Sequence, residues 1–185
     1  MSHRPAFYKP SFIMRSTDAS TLRIIDLWTF RSEKSNKRYI VEVEYFTHHF
    51  LGLKFYWKGV SESEHRYSYL TNDYEPRRII LSCIQVMMHY YKNDVFTSFG
   101  FVAAPDLGIE ESGNETVHTN KRFRFYKRMM LSLFGPETFI QAYDSGSSVY
   151  VMINSKVYDR GEITLTKIGK ELEKLYEGEY CLTIE

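Results

Sequence analysis

The stretch Pro76-Arg-Arg-Ile-Ile-Leu-Ser-Cys-Ile-Gln-Val-Met-Met-His-Tyr-Tyr91 decides the fold class, because its apolar residues recur with the period of an α-helix. On a helical wheel the polar side chains share one narrow arc, formed by Arg78, Ser82, Gln85, His89 and Lys92. Proline suits the first turn of a helix, so we expect the helix to begin at Pro76, with Asn72 or Asp73 as its cap. The wide apolar remainder predicts that this helix is mostly buried.

The residues before this helix alternate between apolar and polar side chains, as β-strands do. Three such runs, at residues 22–30, 39–46 and 51–58, are predicted to form an antiparallel meander. Residues 66–70 are a candidate for a fourth strand. Residues 1–20 combine prolines with a cluster of serine and threonine, which predicts an irregular N-terminal arm.

The residues after the helix predict more strands and two more helices. Residues 95–104 are almost continuously apolar, as in a central strand covered on both faces. The other expected elements are a helix at 120–134, a hairpin of 138–143 with 148–154, and an amphipathic helix at 164–175. The helix at 120–134 is expected to bury Phe123, Tyr126, Met130, Leu133 and Phe134. This order predicts an α+β fold with a central mixed α/β sheet, in a single domain spanning residues 1–185.

Composition and charge narrow the classes of protein. The 185 residues carry 24 Lys and Arg against 23 Asp and Glu, and 43% of them are apolar. These values argue against disorder and against nucleic-acid binding by the whole surface. No run has the length of a signal peptide core or a membrane span, and Cys83 and Cys181 match no metal or redox spacing. We therefore expect a soluble cytoplasmic protein with reduced thiols.

The most unusual local feature is a run of five cations within eight residues and no acid among them: Lys121, Arg122, Arg124, Lys127 and Arg128. Like charges at helical spacing oppose each other, so a surface helix ordinarily mixes acids among them. One interpretation is an anion site for nucleic acid, a nucleotide or an acidic protein surface, supported by the helix N-terminus at Asn120. The alternative is that the acidic loop at 105–118 folds over the helix and neutralises it. Arg122 falls on the apolar side and is expected to pair with a carboxylate such as Glu115.

A second basic pair, Arg77-Arg78, lies at the predicted start of the first helix. Cations at a helix N-terminus are opposed by the helix dipole, which is compatible either with an anion ligand or with a plain surface pair. If both helix starts meet at one edge of a sheet, Arg77 and Arg78 would join Lys121 and Arg124 in one phosphate site.

Catalytic and metal motifs are not indicated by the sequence. His48-His49 lack a third ligand at a supporting spacing, so a turn with two exposed imidazoles is expected and no metal. His118 beside Asp106 or Glu115 could form an acid–base pair, or could be an ordinary loop histidine. No nucleophile elbow, Walker loop, dinucleotide fingerprint or zinc-protease motif occurs, which favours binding over catalysis and predicts no cofactor.

The element order from residue 76 to residue 154 resembles the second half of the acyl-CoA N-acyltransferase fold, the GNAT family. The stretch Asn120-Lys-Arg-Phe-Arg-Phe-Tyr126 corresponds to a family helix that begins with Asn and carries a Tyr two turns later. This resemblance implies acetyl-CoA as cofactor and Tyr126 as the acid that protonates the departing thiolate. The place of the family's glycine-rich pyrophosphate loop, residues 70–78, contains no glycine, so the cofactor loop is degenerate. The same phrase is similar to one in small bacterial proteins, a likeness that implies no mechanism.

The sequence thus predicts a bacterial binding or interaction domain that docks a polyanion or an acidic partner. The predicted anion-binding residues are Arg77, Arg78, Lys121, Arg124, Lys127 and Arg128. One alternative is a divergent acyltransferase that uses Tyr126 and acetyl-CoA. Another is a subunit of an assembly, in which the strands within residues 22–58 supply an exposed sheet edge.

Overall fold

The computed structural model describes residues 6–19, 21–46, 49–69, 74–104, 121–174, 176 and 180–185, with the side chain of Lys121 excepted. The chain forms two compact units: unit 1 comprises residues 1–45 and 53–95, and unit 2 comprises residues 46–52 and 96–185. Each unit combines strands with helices, so the α+β class is confirmed, while the single-domain assignment stays a prediction. None of the described helices has the length and apolar character that crossing a membrane requires.

Four strands form the sheet of unit 1, in the order β1-β2-β3-β4. They are β1 (Ser11–Thr17), β2 (Ile24–Arg31), β3 (Arg38–Tyr45) and β4 (Phe50–Trp57), of which residues 50–52 belong to unit 2. The pairings of β1 with β2 and of β2 with β3 are antiparallel. β3 is buried on both faces from Tyr39 to Glu44. For the meander predicted from residues 22–58, the antiparallel pairing of β2 with β3 is confirmed, and β4 is the next strand in the sheet.

β1 occupies residues for which the sequence predicts an irregular arm, and that prediction is wrong for this segment. The strand pairs with β2 from Ser11 opposite Thr29 to Thr17 opposite Ile24, with Ile13 as an extra residue in a bulge. Partners far along the chain hold it in place, because Phe12 packs edge-on against Trp28 and Arg15 binds Asp26. Such partners leave no periodic signal in the strand itself.

The predicted buried helix is α1 (Pro76–Asn93), which begins at the expected proline. The residue in the cap position is Glu75, whose side chain makes no capping bond. Its carboxylate accepts hydrogen bonds from Tyr8 and Ser32. The two cap residues that the sequence suggests lie outside the described residues.

The polar arc predicted for α1 is only partly exposed. Ser82 is buried, because the backbone N–H of Tyr8 donates a hydrogen bond of 2.8 Å to its Oγ and the Ser82 hydroxyl donates to the carbonyl of Arg78. His89, one turn from the C-terminal end, is exposed as expected. The segment before β1 therefore covers one part of the helix that the wheel assigns to solvent.

The prediction of a fourth strand at residues 66–70 is wrong for its described part. After β4 the chain forms a 3-10 turn, Lys58–Val60, and then further turns. The backbone N–H of Arg66 donates to the carbonyl of Ser63, and that of Ser68 donates to the carbonyl of His65. The side chains of this segment are directed to Glu42 of β3, which accepts a hydrogen bond from Tyr67. Side-chain anchoring therefore replaces strand pairing here.

Four strands also belong to unit 2, in the order β5-β7-β6-β8. They are β5 (Ser98–Val102), β6 (Phe139–Asp144), β7 (Val149–Asn154) and β8 (Thr183–Ile184). β7 pairs antiparallel with β5 and β6, and β8 pairs antiparallel with β6. The predicted central strand and hairpin are confirmed, since β5 and β7 are buried on both faces apart from Val102.

The helices of unit 2 are α2 (Lys121–Leu133), α3 (Ser155–Asp159) and α4 (Leu165–Glu173). α3 is absent from the sequence prediction, whereas α4 is confirmed with its apolar side buried. α2 buries Phe123 and Met130 as expected, but Met129 is buried in place of Leu133, which is 44% exposed. On the wheel Leu133 falls between these two methionines, so its exposure goes with its position as the last residue of α2 and not with a rotation of the helix.

The packing of β5 against Phe50 gives a test of the unit 2 core. A Cβ at Gly100 would lie 2.5 Å from Cζ of the buried Phe50 ring, so we expect Gly100→Ala to lower the free energy of unfolding by about 1–3 kcal/mol. Gly135→Ala is the matched control, because a Cβ there meets nothing within 4 Å, and it is expected to change stability by less than about 1 kcal/mol. Urea denaturation measures both, and equal stabilities would contradict the close contact.

Candidate functional site

The orientation of α2 is set by its apolar residues. Phe123 and Met130 are buried in unit 2, and Phe123 also contacts the ring of Tyr143 on β6 with 6.3 Å between ring centroids. The helix contacts β7 along the same side. Burial of this side turns the intervening basic residues toward solvent.

Arg124 and Arg128 are the two cations that α2 exposes most clearly. Both side chains are exposed, and neither forms an ion pair with any residue that the structure describes. They are four residues apart, which places their Cβ atoms about 6 Å from each other on one side of the helix. The first turn of α2 contains no acidic residue. Among the described residues, these arginines therefore present two guanidinium groups without an ion-pair partner.

Lys127 has partners within unit 2. Its Nζ lies 2.5 Å from a carboxylate oxygen of Glu185 and 3.4 Å from the centre of the Tyr143 ring. Burial alone would lower the pKa of Lys127, but the hydrogen bonds to Glu185 and Tyr143 raise it above its ordinary value. This ammonium is fixed and largely neutralised by Glu185, a residue outside the acidic loop to which the sequence analysis assigns that role.

Several parts of the predicted anion site lie outside the described residues. The acidic loop at 105–118, Asn120 and the Lys121 side chain are among them, so the masking alternative stays a prediction. Arg122 is half-buried and makes at least one hydrogen-bonding, ring or electrostatic contact, and its expected pairing with a carboxylate stays a prediction. Its expected carboxylate, Glu115, also falls in the undescribed loop.

The two arginines of the second basic pair differ in their contacts with the described residues. Arg77 is exposed and forms no ion pair within the described part of the chain. The guanidinium of Arg78 lies 3.8 Å from the centre of the Tyr8 ring, donates to its hydroxyl at 3.0 Å and lies 3.3 Å from Glu33. Arg78 thus anchors the segment before β1. Both residues belong to unit 1 and α2 belongs to unit 2, so the combined phosphate site stays a prediction.

Sequence reasoning missed a buried carboxylate in unit 1. Asp26 of β2 is 2% exposed and receives two hydrogen bonds from Arg15, at 2.7 and 2.9 Å. The hydroxyls of Tyr45 and Tyr90 donate to it at 2.9 and 2.7 Å. Trp28 Nε1 donates in turn to the Tyr90 hydroxyl at 2.8 Å. One acid within the apolar run of β2 is the signal that could have revealed this network.

Electrostatics fix the protonation state of this network. Burial opposes the charge of Asp26, but the hydrogen bonds from Arg15, Tyr90 and Tyr45 hold its pKa below the ordinary value. Burial and the neighbouring carboxylate raise the pKa values of both tyrosines. Asp26 is therefore an ionised acceptor, and the tyrosines are donors that resist ionisation. This arrangement stabilises the fold and offers no group poised for proton transfer near neutral pH.

The opposite face of the same sheet holds two more buried carboxylates, Glu42 and Glu44 of β3. Glu44 pairs with Arg23 at 3.0 Å and with Lys54 at 2.7 Å. Glu42 lies 3.5 Å from Arg66 and accepts the hydroxyl hydrogen of Tyr67, whose pKa is raised by burial and by this carboxylate. The Glu42 contacts fasten the segment after β4 to the sheet, and the Glu44 pairs join β3 to Arg23 and to Lys54 of β4, so both carboxylates have partners within unit 1.

The metal and acyltransferase interpretations gain no support from the described residues. Among them, no group of three His, Cys, Asp or Glu side chains is arranged to hold a metal, and His48 lies outside them. Burial raises the pKa of Cys83, which makes its thiol a poor nucleophile. Tyr126 is half-buried and has a partner, and its proposed role in thiolate protonation stays a prediction.

Comparison with protein-family models, curated proteins and solved structures finds no match to this chain. The resemblance to acyl-CoA N-acyltransferases therefore stays a prediction. Any functional conclusion has to be drawn from the described side chains.

The Asp26 network predicts a large effect of a single hydroxyl. We expect Tyr90→Phe to lower the free energy of unfolding by about 1–3 kcal/mol, because it leaves a buried carboxylate and the Trp28 N–H short of one partner. The control is Tyr74→Phe, since Tyr74 is 89% exposed and the substitution should change stability by less than about 0.5 kcal/mol. Thermal unfolding of the two variants compares them, and equal melting temperatures would contradict the network.

The lowered pKa of Asp26 predicts an acid-sensitive contribution to stability. The folded chain holds this carboxylate ionised below its ordinary pKa of 3.8, so the contribution is fully present above that pH and is lost as pH falls through the folded pKa. The difference in free energy of unfolding between wild type and Asp26→Asn is therefore expected to shrink as the pH is lowered from about 5 to about 2. The control is Asp159→Asn, which removes one carboxylate from an exposed position. Urea titrations at stepped pH measure this, and a constant difference would argue against the assignment.

Proposed function

We propose that this chain is a binding domain that docks a phosphate-bearing polyanion on the exposed basic side of α2. The observation that carries the proposal is the pair Arg124 and Arg128, which are exposed and form no ion pair with any described residue. Nucleic acid is the polyanion we favour, with phosphate contacts that position the partner and carry no sequence information.

Energetic cost is the first argument for a ligand. Like charges four residues apart destabilise a helix by a few tenths of a kcal/mol per pair, and cations in the first turn oppose the helix dipole. α2 carries Lys121, Arg122 and Arg124 at its start, with no acid in the first turn. An anion near this end would be favoured by the arginines and by the dipole together.

The contrast with the engaged cations is the second argument. Lys127 on the same helix and Arg78 on α1 each have a carboxylate within 3.3 Å. These two cations hold parts of the fold together, and each has an acid beside it. Arg124 and Arg128 have no such partner among the described residues, so their charge is available to a second molecule.

Arginine chemistry is the third argument. The guanidinium group presents a planar fork of N–H donors that matches the oxygens of a phosphate, and it stays ionised at any physiological pH. Two such side chains whose Cβ atoms are about 6 Å apart can contact neighbouring phosphates of one strand. A carboxylate-rich protein surface offers the same fork geometry, and it is the competing outcome in the test below.

Charge reversal tests the proposal. The double variant Arg124→Glu/Arg128→Glu is compared with Lys156→Glu/Lys170→Glu, which changes the same net charge at exposed lysines of unit 2. We expect the arginine variant to lose at least tenfold in affinity for a labelled single-stranded RNA and to lower the salt-dependence slope by about 2. The lysine variant should retain most of the affinity.

Fluorescence anisotropy at several salt concentrations provides the measurement, and circular dichroism checks that each variant is folded. Polyglutamate is the second probe, and tighter binding to it than to RNA would identify an acidic protein as the partner. Equal losses of affinity in the arginine and lysine variants would show that binding depends on net charge alone. A wild type that binds neither probe at low salt would end the proposal.

A further inference from the structure

β1 displays three consecutive apolar side chains to solvent. Phe12, Ile13 and Met14 are 51%, 46% and 49% exposed. A run of this kind on a protein surface ordinarily has a function, because it favours association. Half-exposed side chains of this size contribute on the order of 300 Å² of apolar surface, comparable to the largest patch of many monomers.

β1 is also the first strand in the sheet order, and its strand partner among the described residues is β2. Its other side therefore presents backbone N–H and C=O groups that no described strand takes up. The sequence suggests a free edge within residues 22–58, but β1 covers β2 and moves that edge to residues 11–17.

The strand is held rigidly enough to act as a template. Arg15 donates two hydrogen bonds to the buried Asp26, and Phe12 packs edge-on against Trp28 with 5.4 Å between ring centroids. Beyond the bulge at Ile13, the pairing with β2 is regular from Met14 to Thr17. The outer edge is thus presented in strand geometry without further ordering.

The usual protections of an edge strand are weak here. Natural edges carry lysine, proline or inward-directed charges that repel a second strand. β1 contains no proline and no lysine, and its one charge, Arg15, is neutralised by Asp26. The bulge at Ile13 disturbs the ladder at one position only.

We propose that β1 is a homodimerisation edge, on which the β1 strand of a second copy of this chain pairs antiparallel across a twofold axis. The apolar run of residues 12–14 is centred on Ile13, so an axis beside Ile13 sets Phe12 of each copy opposite Met14 of the other. Because Arg15 is already paired, no uncompensated like charges meet. This inference is independent of the anion site on α2.

The expected dimer is weak. Two seven-residue strands with their apolar side chains bury less than the roughly 1,200 Å² of a standard stable interface, so association should depend on protein concentration. Sedimentation velocity over a hundredfold range of concentration is the measurement. We expect the wild-type sedimentation coefficient to rise from the monomer value toward the dimer value.

Two substitutions test the edge directly. Ile13→Lys and Met14→Lys each add an unpaired charge to the edge, and both are expected to keep the wild-type melting temperature and remain monomeric throughout. Leu133→Lys is the control, since Leu133 is exposed to a similar degree on α2, and it should dimerise like wild type. A wild type that stays monomeric, edge variants that still dimerise, or a control that does not would each overturn the proposal.

Cross-linking distinguishes β1 pairing from other contacts between copies. In a Cys181→Ser background, the remaining native cysteine, Cys83, is buried. Ile13 lies opposite its own copy at the axis, so Ile13→Cys is then expected to give a disulfide-linked dimer under mild oxidation. The same experiment with Leu133→Cys should leave the chain monomeric on a non-reducing gel. Equal cross-linking at both positions would show that the copies meet without using β1.

Discussion

The structure of unit 1 depends on the buried carboxylate of Asp26. Its two oxygens receive hydrogen bonds from Arg15 of β1, Tyr45 of β3 and Tyr90 of α1. A charge removed from water is stabilised only when its partners stand in a fixed geometry. Three secondary-structure elements are therefore positioned on β2 by one side chain, and each element is constrained in register as well as in distance.

This constraint explains why β1 is a strand at all. Most of its side chains are exposed, so burial of apolar surface contributes little to its attachment. The strand is attached instead by the bidentate contact of Arg15 with Asp26 and by the packing of the Phe12 ring on Trp28. A strand attached in this way keeps its apolar residues and its outer edge in solvent, where a second molecule can reach them.

The same distinction separates what the sequence could predict from what it could not. α1, β3 and the hairpin of β6 with β7 follow from periodicity, since each buries a regular set of apolar side chains. β1 and the turns at residues 61–69 are held by ion pairs and tyrosine hydroxyls over distances of more than ten residues in sequence, which no local pattern records. The candidate site follows the same rule: the basic run on α2 is visible in the sequence, but the carboxylate that engages Lys127 is 58 positions away, at Glu185.

The most informative feature that the structure adds is thus whether each cation has a partner among the described residues. Arg15 and Arg78 are held by acids and aromatic rings, and their charges are part of the fold. Arg124 and Arg128 differ from them in having neither a described acid nor a buried surface to stabilise. Removing such residues would relieve repulsion within α2, so no contact among the described residues explains their presence. This is the ground on which we propose an external anion as their partner, since a phosphate fits their chemistry.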